Sequence, residues 1–255
     1  PKQIVVYNAL GFELPRFYHV AMINNEQGKK LSKRDGATDV MEYKIQGFLP
    51  EALLNFLVRL GWSHGDQEIF SLEEMIQLFD PQNINKSASS YNLDKLLWLN
   101  AHYIKEASDE KLIGLLKEFG VDLEGNENAS IILHATKERS KTLVELAEQI
   151  KLILNAPTGY DSKAVKKAFK EGTKEILTDF MTMLQTWQKP LCLPSDYHEV
   201  LESIVTKKDI GFGKIGMPLR VALVGALTGA GVDEMMAILG VDATIKRIEA
   251  FLQTR

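Results

Sequence analysis

From Pro50 to the C-terminus, apolar residues return every three or four positions, interrupted at intervals by residues with capping or helix-breaking chemistry. That period puts them along one face of an α-helix, so the chain has to bury a series of short helices against one another. Pro50 suits the first turn of a helix and Gly61 its end, with Leu53, Leu54, Leu57 and Leu60 as the apolar stripe. Ser71 and Glu74 form a capping box that opens a helix carrying Met75, Ile76 and Phe79 on one face, and Asp80-Pro81 stops it. Ser108 caps another, with Leu112, Leu115, Leu116 and Phe119 at core spacing and Gly120 at its end. After a polar loop at 121–128, the spacing predicts helices at 129–139, 140–155, 162–171, 173–188, 195–206, 217–228, 232–239 and 242–253. Ile176, Leu177, Phe180, Met181, Leu184 and Trp187 form a stripe of the kind that makes core. The expected fold class is mainly α, with a short β-hairpin at the start and boundaries near 121–128 and the Ala156-Pro157-Thr158-Gly159 turn.

The hairpin is read from Asn24-Asn25-Glu26-Gln27-Gly28, a turn between the extended segments Tyr18–Ile23 and Lys29–Ser32. It leads into Lys30-Leu31-Ser32-Lys33-Arg34, followed by Asp35-Gly36-Ala37. Lysines beside a small hydroxyl residue, with a glycine close behind, suit a loop that meets a polyphosphate. A solvated basic face fits the same composition.

The run resembles the KMSKS signature of class I aminoacyl-tRNA synthetases, in the KLSKR form of glutamyl-tRNA synthetases. The segments Phe12–Phe17, Gly47–Asn55, Leu60–Ser63, Gln67–Ser71 and Leu93–Asn100 are similar to that family in the same order. Near the end, Gly216-Met217-Pro218-Leu219-Arg220 and Ala237-Ile238-Leu239-Gly240 resemble its anticodon-binding end. The resemblance implies ATP, with Mg2+, as substrate, glutamate and tRNA(Glu) as partners with tRNA(Gln) open, and a cytoplasmic monomer. It implies that Lys33 clamps the ATP phosphates in the transition state, that Lys30 supports the loop or the phosphates, and that Ser32 holds the loop's geometry.

On the same resemblance, residues 1–36 would end a catalytic domain and 37–105 would contact the tRNA stem. Residues 106–160 and 161–255 would form two helical anticodon-binding subdomains. The family's His-x-Gly-His signature has no counterpart among His19, His64, His102, His134 and His198. The resemblance therefore implies a C-terminal part of a synthetase, unable to make aminoacyl-tRNA by itself; pyrophosphate exchange by this chain would overturn that expectation. Two other readings stay open, a class I lysyl-tRNA synthetase and a non-catalytic tRNA-binding module.

Net charge is −4, so an RNA footprint has to be local. Three clusters qualify: Lys163, Lys166, Lys167, Lys170 and Lys174 on one helical face; Lys207, Lys208, Lys214 and Arg220; and Lys246 with Arg247. The resemblance assigns Lys214, Arg220, Lys246 and Arg247 to tRNA and leaves the lysine-rich helix undecided. The single cysteine, Cys192, excludes an internal disulfide and a Cys-based zinc site, and is expected as a small core residue. No bound metal is expected. No apolar run approaches the roughly 20 residues that span a bilayer.

Gly211-Phe212-Gly213-Lys214-Ile215-Gly216 matches G-x-G-x-x-G, yet a dinucleotide site needs a strand before it and a helix opening within it. Here a polar helix precedes it and the next helix is expected to begin only at Pro218. A basic-flanked loop leading to a helix N-terminus can instead hold an RNA phosphate.

Overall fold

The computed structural model describes residues 2–25, 27–31 and 39–255, and is mainly α as expected. The chain forms two compact units, Pro1–Lys44 with Pro50–Leu99, and Ile45–Leu49 with Asn100–Arg255.

The first unit holds α1 (Lys2–Ala9), β1 (Ile23–Asn24), most of α2 (Val40–Ile45), α3 (Pro50–Gly61), α4 (Leu72–Leu78), β2 (Ser89–Ser90) and the start of α5 (Leu93–Glu106). Asn25 builds the expected turn: its Oδ1 accepts from the N–H groups of Gln27 at 3.1 Å and Lys29 at 2.9 Å. Asn24 and Lys30 then bridge in antiparallel fashion. β1 also pairs in parallel with β2, Ile23 opposite Ser89, a partner too short and polar to read as a strand in the sequence.

The buried face of α3 is Ala52, Leu53 and Phe56, while Leu54 and Leu57 are exposed, so the expected leucine stripe is displaced. The cause is Asn55, which is fully buried. Its Nδ2 donates to the Glu68 carbonyl at 2.9 Å and its Oδ1 accepts from the Phe70 N–H at 2.8 Å. A residue type that hydrophobic patterning turns outward is drawn inward to satisfy backbone. The capping box at Ser71 and Glu74 forms as expected. On α4 only Met75 is buried, joining Trp62 and Phe70; Ile76 and Phe79 are exposed, which corrects the expected three-residue face. Asp80 caps a 3-10 turn at Pro81–Asn83, where the α-helix has already ended.

The second unit packs α6 (Asp109–Leu116), α7 (Ala129–Lys137), α8 (Leu143–Leu154), α9 (Ser162–Ala168), α10 (Thr173–Thr186), α11 (Pro194–Lys208), α12 (Gly213–Val224) and α13 (Val232–Gln253). Ser108, Thr142 and Asp161 cap α6, α8 and α9 with side-chain oxygens, and left-handed Gly120 closes the turn after α6. α13 lies against α7, α8, α10, α11 and α12, and bends at Gly240, the break expected between 239 and 242. Buried Asn100 fastens the Ile45–Leu49 segment to this unit. It accepts from the Leu49 N–H at 2.7 Å and donates to the carbonyls of Gly47 and Lys141. Gly47 has φ +82°, and a Cβ there would sit 2.7 Å from the Val144 nitrogen, so only glycine fits. Cys192 is exposed rather than core, in the turn before α11 where its N–H donates to Asp196.

Glu68, Glu74, Glu138 and Asp196 all titrate below their ordinary values, chiefly through hydrogen bonds to Lys95, the Ser71 backbone, Lys105 and the Leu193 backbone respectively. The folded chain thus binds these protons more weakly than the unfolded chain. Their stabilisation is present above the ordinary glutamate value of 4.5 and is lost as pH falls through the folded values. Melting temperatures measured down a pH series should fall steadily below about pH 4.5. A flat profile there would mean that these contacts do not persist in solution.

Candidate nucleic-acid interface

α12 begins at Gly213, five residues before the expected start at Pro218. Glycine and proline both read as breakers, but Gly216 has a specific role inside the helix. A Cβ on it would meet the Phe212 ring at 2.9 Å, so the glycine lets that ring lie against the helix surface. The G-x-G-x-x-G segment therefore seats an aromatic side chain after helix α11, without the strand a dinucleotide site requires.

Phe212 is exposed and opens onto a concavity of about 410 Å³ lined by His198, Met217, Arg220, Val232 and Asp233. Its walls come from α11, the start of α12 and the start of α13. His198 stands at its polar edge, Nδ1 3.3 Å from Asp233 and Nε2 3.4 Å from Glu202. Arg220 is half-buried, and its guanidinium donates to the carbonyls of Gly229, at 2.9 Å, and Ala230. Arg139 donates to the same Gly229 carbonyl at 3.0 Å. Burial first, and then the neighbouring Arg139, press the Arg220 pKa below its ordinary value. Two cations thus converge on the loop between α12 and α13 and fix the wall of the concavity. An aromatic face, apolar neighbours and flanking cations together can take a planar base and its phosphate.

The basic residues named from the sequence separate into distinct roles. Lys214 and Lys246 are exposed. Arg220 is committed to backbone carbonyls, so it shapes the wall of the concavity. Arg247 is 7 % exposed and donates to the carbonyls of Ile153 at 2.8 Å, Leu223 at 2.7 Å and Leu154 at 3.0 Å. It ties off the C-terminal ends of α8 and α12, where carbonyls lack helix partners. This burial removes Arg247 from the RNA-facing set. Lys208 is held by Glu175 and Asp179, while Lys207 is exposed. Lys30 is exposed at the end of the hairpin; Ser32, Lys33 and Arg34 lie outside the described residues. Arg139, Phe212, His198 and Asp233 were given no site role from the sequence. Only Phe212 left a signal, a lone aromatic residue between two glycines.

Residues 74–252 match the anticodon binding domain family. The chain belongs to that family. Its residues 1–98 match the catalytic domain of class I tRNA synthetases (E and Q), so the anticodon-binding domain is joined here to catalytic-domain sequence. The chain is 77 % identical over 254 residues to glutamate–tRNA ligase 1 of Sulfurovum sp. and 61 % identical over 255 residues to glutamate–tRNA ligase 2 of Nitratiruptor sp.. Each alignment covers 100 % of this chain and 55 % of the relative. The chain thus spans about half the length of the curated relatives it matches. A crystal structure of a glutamate tRNA ligase from Elizabethkingia meningosepticum superposes with a TM-score of 0.85 at 30 % identity, over 99 % of this chain and 54 % of that one. These relatives bear out the glutamyl resemblance, and the lysyl alternative is not favoured. Among the described residues, no helix is long and apolar enough to cross a membrane.

Proposed function

We propose that this chain holds tRNA(Glu) for a glutamate–tRNA ligase, with its helical unit reading the anticodon and its first residues contributing to the ATP site. The observation that carries the reading is the Phe212 concavity, which lies within the segment matching the anticodon-binding family. A base leaving the anticodon stack would lie on Phe212, against Met217 and Val232, with Asp233 and His198 at its hydrogen-bonding edge. Arg220 and Arg139 position the wall through the Gly229 carbonyl. Lys214 and Lys246 supply positive charge for phosphates.

In the reaction, the glutamate carboxylate attacks the α-phosphorus of ATP, giving glutamyl-adenylate and pyrophosphate. A hydroxyl of the terminal tRNA ribose then takes the glutamyl group and releases AMP. The protein forms no bond of its own, so positioning and charge stabilisation carry the catalysis. Lys33 is assigned to the developing phosphate charge, Lys30 and Ser32 to the loop that presents it, and Mg2+ accompanies the ATP. The working state is a cytoplasmic monomer, and tRNA(Gln) is a second acceptor to be tested.

Phe212→Ala tests the base-stacking role. Loss of one aromatic–base stack is worth about 1–3 kcal/mol, so the dissociation constant for a tRNA(Glu) transcript should rise by about 5- to 150-fold. Unchanged affinity would place the anticodon elsewhere.

A further inference from the structure

α9 presents Ala164, Val165 and Ala168 to the core and Lys163, Lys166 and Lys167 to solvent. The helix ends at Ala168, so the five lysines do not share one helical face as expected. Lys170 occupies the following turn and Lys174 the first turn of α10, and both are exposed. The window 163–174 carries five lysines against one acid, Glu171, a charge of +4 within a chain of −4.

Some lysines elsewhere in the chain are paired. Lys95, Lys105, Lys117, Lys137, Lys189 and Lys208 each reach a carboxylate within 4 Å. Among the described residues none of the five around α9 does. Helix stability accounts for only part of the cluster. Lys166 and Lys167, in the last turn of α9, suit the helix dipole; Lys163 and Lys174 stand in first turns, where a cation is disfavoured.

The cluster borders aromatic side chains. Phe169, just past α9, meets Phe251 edge to face at 5.7 Å, Tyr160 lies 4.9 Å from the same ring, and Arg255 covers that ring at 5.5 Å. Arg255 thereby extends the positive surface. Asp161, the N-cap of α9, donates its N–H to the carbonyl of Gly225 at the end of α12, whose other end forms the Phe212 concavity. The 12 residues of α12 span about 18 Å, so the two regions lie within reach of one RNA stem-loop.

We propose that Lys163, Lys166, Lys167, Lys170 and Lys174, with Arg255, form a second RNA-binding surface that takes backbone phosphates without reading bases. It rests on the tRNA reading above and adds a contact separate from the Phe212 concavity. A sequence-independent surface of this kind contributes affinity through counterion release, and its signature is the salt dependence of binding.

The test is the affinity of the 255-residue chain for a tRNA(Glu) transcript between about 50 and 200 mM salt, for wild type, for K166Q/K167Q/K170Q and for Phe212→Ala. The triple variant should bind about tenfold or more weakly at about 0.1 M salt, and its log–log salt slope should be shallower by about 2–3. Its melting temperature should fall only slightly, since these exposed side chains hold no partner beyond the α9 dipole. Phe212→Ala should lose affinity and keep the wild-type slope. A triple variant with wild-type affinity and slope, beside a weakened Phe212→Ala, overturns the surface and leaves the anticodon reading standing. Wild-type protein that binds no RNA overturns both. A wild-type slope in the triple variant, with loss of binding to poly-glutamate, assigns the surface to an acidic protein and overturns the RNA assignment.

Discussion

Arg247→Ala is expected to destabilise the helical unit by about 3 kcal/mol or more, because three carbonyls lose a buried, charge-assisted donor and an unsatisfied buried polar group costs about 1–3 kcal/mol. For a body of this size that corresponds to a melting temperature lower by roughly 6–12 °C. Arg247→Lys should fall between, since a single ammonium cannot reproduce a planar fork spanning two helix ends. Urea unfolding of the three proteins gives the comparison directly. The reading of Arg247 as an RNA contact predicts the opposite pattern, with stability unchanged and tRNA affinity reduced. RNA affinity measured under conditions where each variant remains folded separates the two.

The second large effect concerns the segment after the hairpin. In the whole protein, Lys33→Ala should lower the rate of glutamate activation by about 100- to 1,000-fold, the usual scale for removing one group that stabilises transition-state charge. The dissociation constant for tRNA should change by less than about twofold, because the RNA contacts proposed above lie in the helical unit. Equal losses in activation and in tRNA binding would give the loop a structural role instead. Lys30→Ala should have a smaller effect on activation, in keeping with the loop-supporting role proposed for it.

The helices were legible because their signals are local. Ser71 with Glu74, Ser108, and Gly120 at the end of its turn each fix a terminus through bonds made within a few residues. Where a distant partner decides, the sequence misled. Asn55 and Asn100 are buried because backbone groups 15 and 51 residues away require them, and no period reveals that. Ser89 becomes a strand only because β1 is beside it. The same limit governs the site. Lys214 and Lys246 were recognisable as exposed cations, but Arg247 carries the same charge and serves two helix ends. Arg139 and Arg220 lie 81 positions apart and converge on one carbonyl, a relation that exists only after folding. Gly213 and Pro218 pushed the expected start of α12 too late, since neither residue shows that the Phe212 ring needs the space Gly216 leaves.

If the helical unit reads the anticodon, its affinity for tRNA depends on the anticodon bases. The direct measurement is competition binding of the chain to two tRNA(Glu) transcripts that differ only in their anticodon bases. At least a tenfold preference for the glutamate anticodon is expected, an energy difference of about 1.4 kcal/mol or more, which disappears in Phe212→Ala. Equal affinity of the wild-type chain for both transcripts would contradict it.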